Sequence, residues 1–390
     1  MNILMTITGY PPAVGGAQIH THMLAKHLSN RHRVEVISQW DHERNDWLRG
    51  TTTHAPQAKA YVHEGIPVKL ISPTRAERRR LSKDVISYYF RQQGAIRNIS
   101  TVFEEHIARE AASPEIIHNV RMGREYLTRA SLNLAKKRGI PFVFTPLHHP
   151  RWSGWMHRHF HKIYREADLL FALTEWERQT LVGLGVDTGK IEVIGHGPVL
   201  ASIGINHLSV QIPDEKYILF LGQKYAYKGL EAVLNSAPLV WKNFPDVHFV
   251  FMGPPTEYSR RLFSRNQDPR IIEIGKVDLE TKTYWLQKAE IMCLPSSQES
   301  FGGVYLEAWL SGCAVIGGTA PAVREVISDG EDGYIVQQDG QAVADKIMAY
   351  LRSPDQKQEM VEKGKRKVVS KFTWEKIAGK VEKGYDKVSR

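Results

Sequence analysis

The chain has 390 residues, 42% of them hydrophobic, which is enough to bury the cores of two domains. No run of about eighteen apolar residues occurs, which excludes a membrane-spanning helix from the predicted elements. Lys and Arg exceed Asp and Glu by 10, and most of this excess lies in residues 1–200. The two cysteines, Cys293 and Cys313, lie in apolar segments and predict buried thiols in a reducing compartment. The opening MNILMTI lacks the features of a signal peptide, so we expect a cytoplasmic protein.

Short apolar strands alternate with helical stretches in both halves, which is the pattern of parallel sheets covered by helices on both faces. In the first half we predict strands at residues 2–8, 33–38, 68–71, 116–119, 142–145, 169–173 and 191–194. The polar span 40–67 predicts a long irregular surface excursion. In the second half, strands are expected to start near Tyr217, Val247, Ile271, Ile291, Ala314 and Gly333.

Residues 195–216 are rich in Gly and Pro with little periodicity, and they predict a linker between two domains. We therefore expect an α/β protein with two doubly wound parallel-sheet domains, residues 1–197 and 198–372. An amphipathic helix is expected in residues 373–390.

The segment ESFGGVYLEAWLSG carries the strongest chemical signal. A buried strand is followed by Glu299 in a loop, by Gly302-Gly303, and by a predicted helix over residues 304–311 that contains Glu307. The first amides of a helix, here those of Gly303 and Val304, stabilise phosphate. Carboxylates that bind hydroxyls on either side of a phosphate site predict a sugar-nucleotide ligand.

Two further loops lie where open α/β sheets bind ligands. Gly15 and Gly16 follow the first strand and lack the G-x-G-x-x-G spacing of dinucleotide-binding proteins. They predict either a close approach to a ligand or a plain strand–helix turn. His148 and His149 follow the strand at residues 142–145.

The E-x7-E spacing of Glu299 and Glu307 resembles that of retaining family-four glycosyltransferases with the GT-B fold. MNILMTITGYPPAVGGAQIHTHMLAKHLS resembles the opening strand, glycine loop and helix of that family. FVFTPLHHP resembles its strand with the active-site histidine, and YILFLGQKYAYKGL resembles the strand and basic loop of its nucleotide domain. The resemblance covers nearly the whole chain and implies two Rossmann-like domains that face each other across a cleft. It implies that residues 1–197 bind the acceptor, that residues 198–372 bind the sugar nucleotide, and that the helix in residues 373–390 crosses back to the first domain.

The resemblance implies roles for particular residues. Lys228 matches the phosphate-binding lysine, Glu299 the residue near the donor hexose, and Glu307 the residue that holds the ribose. His149 is the better match to the histidine that contacts the donor sugar, with His148 as the alternative. Gly15, Gly16, Gly302, Gly303 and Val304 are then expected to contact the donor.

The chain departs from the family at one cation. Gln223 stands where an arginine is usual, and Lys224 is either its substitute or an ordinary surface lysine. No Asp-x-Asp motif lies in a suitable loop, so no metal or other cofactor is expected. His157 and His161 are spaced i,i+4, but the sequence offers no residue that would complete a metal site with them.

The function implied is transfer of a hexose, with retention, from a nucleotide-sugar to an acceptor hydroxyl. UDP-sugars are favoured and GDP-sugars come next, and the acceptor is expected to be a lipid-linked or polysaccharide precursor. Glycogen phosphorylase-like enzymes share this architecture but need a pyridoxal lysine, which cannot be placed here. Two alternatives stay open: a sugar-nucleotide epimerase of the same fold, and a non-catalytic membrane-surface protein.

The densest basic patch runs from Arg75 to Arg80 and continues at Lys83, Arg91 and Arg97. It predicts either a solvated helix face or a surface for anionic lipid headgroups or a diphosphate-linked acceptor. The second interpretation places the protein at the inner face of the membrane. Nucleic acid is not expected as a partner, because the patch has few interleaved aromatic residues and no known binding motif.

Overall fold

The computed structural model describes residues 1–13, 15–42, 47–53, 56–149, 157–202 and 216–389. It divides the chain into two compact units. Unit 1 consists of Met1–Gly195 with Trp374–Arg390, and unit 2 is His196–Thr373. The central part of the predicted linker, residues 203–215, lies outside the described residues.

Unit 1 contains an eight-stranded sheet in the order β3-β4-β2-β1-β5-β6-β7-β8. All neighbours are parallel except β3, which pairs antiparallel with β4 at one edge. The strands are β1 (Asn2–Gly9), β2 (Arg33–Trp40), β3 (Lys59–His63), β4 (Ile66–Leu70), β5 (Ile116–Val120), β6 (Phe142–Thr145), β7 (Leu169–Ala172) and β8 (Ile191–Val193). The helices are α1 (Gly16–Leu28), α2 (Trp47–Thr53), α3 (Arg75–Ser87), α4 (Gln92–Glu110), α5 (Glu125–Arg138), α6 (Arg158–Glu166), α7 (Glu175–Gly183) and the C-terminal α15 (Trp374–Val388).

The prediction of an irregular excursion over residues 40–67 is wrong for the residues described there. The span contains α2 and the edge strand β3, which turns into β4 through Glu64 and Gly65. The residues of β3, KAYVH, are mostly exposed. An edge strand of this kind needs no continuous apolar run, and its pairing partner rather than its own pattern specifies it.

Unit 2 contains a six-stranded parallel sheet in the order β11-β10-β9-β12-β13-β14. Its strands are β9 (Tyr217–Leu221), β10 (His248–Met252), β11 (Ile271–Ile274), β12 (Ile291–Leu294), β13 (Ala314–Gly317) and β14 (Tyr334–Ile335). Its helices are α8 (Leu230–Trp241), α9 (Glu257–Phe263), α10 (Leu279–Lys288), α11 (Gly303–Leu310), α12 (Pro321–Val326), α13 (Gly340–Arg352) and α14 (Pro354–Lys371). The predicted class of two parallel-sheet α/β domains is confirmed.

Each sheet has one point at which the strand order reverses. In unit 1 the chain leaves β1 towards β2, and β5 lies on the other side of β1; in unit 2 it leaves β9 towards β10, with β12 on the other side. Because crossovers on the two sides cover opposite faces, the loops beyond these strands diverge and leave a crevice at the carboxyl edge. Ligand-binding residues are therefore expected after β1 and β5 and after β9 and β12.

Helix α15 is built into unit 1 by buried polar and steric contacts. The Tyr385 hydroxyl lies 2.7 Å from Nδ1 of His118, whose Nε2 lies 2.7 Å from the Thr145 hydroxyl. Burial lowers the pKa of His118 to about 3, so its imidazole is neutral. A Cβ atom added at Gly384 would lie 2.7 Å from the Phe171 ring, so this glycine lets the helix approach β7.

Two glycines of α15 provide a matched test of this packing. Gly384→Ala should lower the free energy of unfolding by about 1–3 kcal/mol, because the added methyl group overlaps Phe171. Gly379→Ala should raise it by about 0.5–1 kcal/mol, because a Cβ there meets nothing within 4 Å and Ala favours the helix. Urea denaturation of both variants measures the difference. Equal effects would show that α15 is not packed as described.

No helix in the described part of the chain is both long and apolar enough to cross a membrane.

Candidate active site

The loops that follow β9 and β12 meet at the crevice of unit 2. Lys228 ends a short 3-10 turn (Ala226–Lys228) after β9, and its ammonium donates to Oε1 of Glu299 in the loop after β12. Both side chains are largely buried. The structure thus brings together a cation and a carboxylate that lie 71 positions apart in the sequence.

Backbone contacts hold these two loops in register. The carbonyl of Tyr227 accepts from the amide of Ser297 at 2.9 Å, which fastens the Lys228 turn to the loop after β12. Gly229 then has φ +80, and a Cβ there would lie 2.6 Å from the Pro295 carbonyl oxygen. Only glycine fits at this close approach, so the backbone requires Gly229 directly after Lys228.

Helix α11 starts directly behind Glu299. Gly302 has φ +96, and a Cβ there would lie 2.6 Å from the Tyr305 ring. This conformation opens α11 without a side-chain cap, so its first amides, those of Gly303 and Val304, have no acceptor within the helix. A Cβ on Gly303 would lie 3.1 Å from Nδ1 of His196, whose ring stacks on Phe301. The helix start therefore presents donors suited to an anion.

Buried hydrogen bonds fix the position of α11. The Tyr305 hydroxyl donates to the Leu294 carbonyl at 2.7 Å, which ties the first turn of α11 to β12. The Trp309 indole donates to the Asp332 carbonyl at 2.8 Å. A Cβ on Gly364 of α14 would lie 2.4 Å from the Trp309 ring, so α14 packs closely behind α11. Such rigid support keeps a binding residue on α11 in place.

Glu307, on the second turn of α11, is a buried carboxylate with two partners. Its Oε1 accepts from the Val199 amide at 3.2 Å, and its Oε2 accepts from the Lys282 ammonium at 2.8 Å. Lys282 also donates to the Val199 carbonyl at 2.9 Å. These contacts offset the cost of burying the charge. Each carboxylate oxygen keeps an acceptor site for another donor, such as a sugar hydroxyl.

Lys224 does not present a cation at this site. Its ammonium donates to Glu273 at 2.8 Å and to the Ile274 carbonyl at 2.9 Å, both on β11, and its side chain is 0% exposed. The chain turns back after Gly222 towards β11, on the side of β9 away from β12. The complete burial of Lys224 against β11 disfavours the prediction that it replaces the missing arginine, and that role stays a prediction. Gln223, at the arginine position, is exposed.

The first glycine loop of unit 1 leads from β1 into α1. A Cβ on Gly15 would meet the flexible end of Gln18, at 2.6 Å from its Oε1, whereas a Cβ on Gly16 would meet nothing within 4 Å. Contacts within the protein therefore do not require glycine at position 16. Space for a ligand at this loop stays a prediction.

The two predicted histidines after β6 have different surroundings. His148 is buried; its amide donates to Glu177 at 2.5 Å, and its Nδ1 lies 3.3 Å from the Tyr164 hydroxyl. Burial, and next the charge of Arg121, lower the pKa of His148 to about 3. His149 is only partly buried. The structure thus gives His148 an internal supporting position and leaves His149 as the more accessible of the two.

Three residues of these sites were not predicted from the sequence. Lys282 lies on α10 and reaches Glu307 from 25 positions away, so no local motif marks it. His196 lies in the segment predicted as a linker, and burial lowers its pKa to about 4. Arg121, buried after β5, donates to Tyr164 and lies over the Phe160 ring. Arg121 directly follows β5, next to the point where the strand order of unit 1 reverses. This position is the sequence signal that could have identified it as a candidate.

The buried histidines predict a loss of stability in acid. Unfolded histidine has a pKa near 6.5, whereas that of His118 and of His148 is about 3 in the fold, so below pH 6.5 the unfolded chain binds more protons. The free energy of unfolding should fall as the pH drops from 6.5 towards 4, by at most about 1.4 kcal/mol per pH unit for each histidine.

Chemical denaturation at several pH values between 7 and 4 measures this slope. His148→Gln and His118→Gln should each reduce it, even where they lower stability at pH 7. A slope between pH 6.5 and 5 that is identical in wild type and both variants would contradict the assignment.

Comparison with known proteins agrees with this architecture. The family profile described as "Glycosyl transferase 4-like domain" matches residues 15–197, and that described as "Glycosyl transferases group 1" matches residues 215–353. The chain belongs to the group 1 glycosyltransferases. The predicted resemblance to family-four enzymes of the GT-B fold is thereby confirmed.

Individual relatives cover different parts of the chain. A phosphatidyl-myo-inositol mannosyltransferase of Mycobacterium leprae is 31% identical over 211 residues, which is 51% of this chain and 56% of that protein. The chain thus matches about half the length of this relative. A glycogen synthase of Mycobacterium tuberculosis is 22% identical over 97% of this chain and 92% of its own length.

Solved structures share the fold over the full length. HepE of Anabaena, in complex with UDP and glucose, has a TM-score of 0.72 at 15% identity and covers 99% of this chain and 100% of its own. Sucrose-phosphate synthase of Thermosynechococcus elongatus has a TM-score of 0.74 at 17% identity and covers 99% and 98%. At this identity the likeness establishes the fold.

Proposed function

We propose that this group 1 glycosyltransferase transfers a hexose from a nucleotide-sugar, with UDP-sugars favoured, to an acceptor hydroxyl with retention of configuration. One observation carries the proposal: the Lys228–Glu299 pair lies at the strand reversal of unit 2, beside the open amides of α11. Group 1 membership supports it. The structure of HepE with UDP-glucose supports UDP as the carrier.

In the proposed complex the diphosphate lies against the amides of Gly303 and Val304. Lys228 supplies the positive charge that stabilises the leaving diphosphate as the bond to the sugar C1 breaks. Glu299 orients Lys228 and accepts hydrogen bonds from hexose hydroxyls. Glu307 accepts from the ribose hydroxyls with the acceptor sites that Val199 and Lys282 leave open.

The transfer itself needs no protein nucleophile in this proposal. The acceptor oxygen forms its bond to C1 on the face from which the diphosphate leaves, and the acceptor proton passes to the diphosphate. Contact of His149 with the donor sugar remains a prediction. In this proposal Lys228 and helix α11 stabilise the developing charge, and the donor site works without a metal ion.

The affinity for the donor should depend on Lys228 and not on Lys224. We expect the double variant Lys228→Met/Glu299→Gln to bind the donor about 10- to 100-fold more weakly, because it loses charge-assisted contacts without leaving an unpaired carboxylate. Lys224→Met should bind as wild type does, since Glu273 already holds that ammonium. Calorimetric titration with UDP-, GDP- and ADP-glucose in the presence of a chelator measures both.

Glu307→Gln should weaken binding of the whole nucleotide-sugar as well as of the free nucleotide, because it alters the ribose contact. Wild-type affinity in the Lys228→Met/Glu299→Gln protein, or no binding of any nucleotide by wild type at millimolar concentration, would reject the proposed donor site.

Transfer is tested with labelled donor and two kinds of acceptor, a free sugar and phosphatidylinositol vesicles. The lipid is included because the mycobacterial relatives are named phosphatidyl-myo-inositol mannosyltransferases. The product should have the anomeric configuration of the donor. Conversion of the sugar-nucleotide to an epimer without any acceptor would favour the epimerase alternative instead.

We further propose that α3 contacts an anionic membrane surface. Its inner face is buried through Leu81, Val85 and the following Tyr88. Its outer face carries Arg79, Arg80 and Lys83 together with Ile86, which is 75% exposed, and Phe90, just beyond the helix, is 89% exposed. Cations beside unpartnered apolar side chains suit headgroups and the outermost acyl chains.

Vesicle co-sedimentation tests this surface. Wild type should bind vesicles rich in phosphatidylglycerol and not neutral phosphatidylcholine vesicles. Arg79→Glu/Arg80→Glu should lose most of the binding, at about 1 kcal/mol for each basic charge removed. Arg260→Glu/Arg261→Glu on α9 of unit 2 is the control with the same charge change. Equal loss in both variants would show a non-specific charge effect.

A further inference from the structure

A cluster of potential metal ligands lies in unit 1, apart from the residues assigned above. His22 on α1, His63 at the end of β3 and Glu64 in the β3–β4 turn each offer one ligand atom, and these atoms lie within 4.8 Å of one another. Nε2 of His22 is 3.4 Å from Oε2 of Glu64, and the two imidazole rings are 4.8 Å apart between centroids.

His22 is held in an orientation that suits a ligand. The residue is 6% exposed, and its Nδ1 lies 2.8 Å from the hydroxyl of the buried Tyr10. That contact directs Nε2 towards His63 and Glu64. This nitrogen is buried, and it faces Oε2 of Glu64 at 3.4 Å without the geometry of a full hydrogen bond. Metal-binding histidines are usually oriented in this way, by a hydrogen bond that the N–H of the other ring nitrogen donates to a neighbouring oxygen.

The β-turn explains why His63 and Glu64 face the same point. His63 pairs with Ile66 at the end of the β3–β4 ladder, and Glu64 and Gly65 both have positive φ, 43° and 84°. The tight reversal places two consecutive side chains beside α1. Positive φ at a glutamate is unfavourable by itself, so the turn is held by its surroundings.

We propose that His22, His63 and Glu64 bind one divalent transition-metal ion, with zinc preferred, which fastens the β3–β4 hairpin to α1. Two imidazoles and one carboxylate form a ligand set typical of zinc with one position left for water. Bonds of about 2.0–2.1 Å in a tetrahedral site set the ligand atoms about 3.3 Å apart. The His22 and Glu64 atoms already lie 3.4 Å apart, so the remaining contraction, of at most about 1.5 Å, concerns the distances to His63. His63 is only partly buried at the end of an edge strand, where its side chain can move.

Lys26 competes for the same carboxylate. Its ammonium lies 2.7 Å from Oε2 of Glu64, and its side chain is 48% exposed, so it can move into solvent when a metal ion arrives. In the metal-free protein, Lys26 therefore pairs with the carboxylate that would bind the metal ion. Removing its charge should strengthen metal binding, whereas removing a ligand should weaken it.

The consequence of binding concerns the glycine loop. Helix α1 begins at Gly16, directly after Gly15, so a metal ion on His22 restrains the helix that follows this loop. The hairpin is already connected to the segment before the loop, because the Tyr61 hydroxyl donates to the Pro11 carbonyl at 2.6 Å. The ion would complete a second connection. This role is structural and leaves the proposed metal-free donor site of unit 2 unchanged.

The test measures zinc binding directly. Untagged full-length protein, stripped with a chelator and dialysed, is titrated with Zn²⁺ by calorimetry and with Co²⁺ by visible absorption. Wild type should bind one ion tightly, with the intense d–d bands of tetrahedral cobalt. His63→Gln and Glu64→Gln should each weaken this site at least tenfold, and Tyr10→Phe should weaken it about 10- to 100-fold by loosening His22.

Two control variants make the result decisive. His248→Gln removes a histidine of unit 2 and should change nothing at the tight site. Lys26→Met should bind zinc up to about fivefold more tightly, because it removes a competing surface ion pair. Absence of a tight site in wild type would overturn the proposal. So would a site of unchanged affinity in both His63→Gln and Glu64→Gln, with circular dichroism confirming that the variants are folded.

Discussion

The reversal of strand order between β9 and β12 is the constraint on which the candidate donor site depends. After β9 and after β12 the chain continues to opposite sides of the sheet. The loops that follow these two adjacent strands therefore diverge and leave a crevice between them. In unit 2 these loops carry Lys228 and Glu299, and the ion pair between them closes the gap. The Tyr227 carbonyl adds the backbone connection. A cation, a carboxylate and a helix start are thus placed together by sheet topology.

Most of the remaining structure of unit 2 supports helix α11. Tyr305 and Trp309 use hydrogen bonds to fix its two ends, and Gly364 allows α14 to lie directly behind it. Lys282 and Val199 position the carboxylate of Glu307 from outside the helix. Substrate contacts that depend on such a buried framework are less sensitive to surface substitutions than to changes in its packing.

In unit 1, contacts of histidine and aromatic side chains hold separate elements together. Its helices α1 and α15 are joined by histidine and aromatic contacts, including the His20 and Trp374 rings at 5.6 Å. Buried histidines with a lowered pKa recur, at His118, His148 and His22, and their hydrogen bonds connect separate elements of the unit. Such groups confer specificity of packing, but they also make the unit sensitive to acid, because the unfolded chain takes up protons that the fold excludes.

Sequence patterns and the family resemblance predicted most strands, the domain class and the candidate residues Glu299, Glu307, Lys228 and Gly302. These signals are local, since a buried strand followed by glycine and a helix start leaves a recognisable pattern. The edge strand β3 escaped prediction because half-exposed strands carry no continuous apolar run. The ion pair between Lys224 and Glu273 on β11 is visible only in the tertiary structure, because the two residues are 49 positions apart in the sequence. Lys282 and the His22–His63–Glu64 cluster were likewise beyond sequence patterns, because contacts between separate elements follow from three-dimensional packing and not from spacing along the chain.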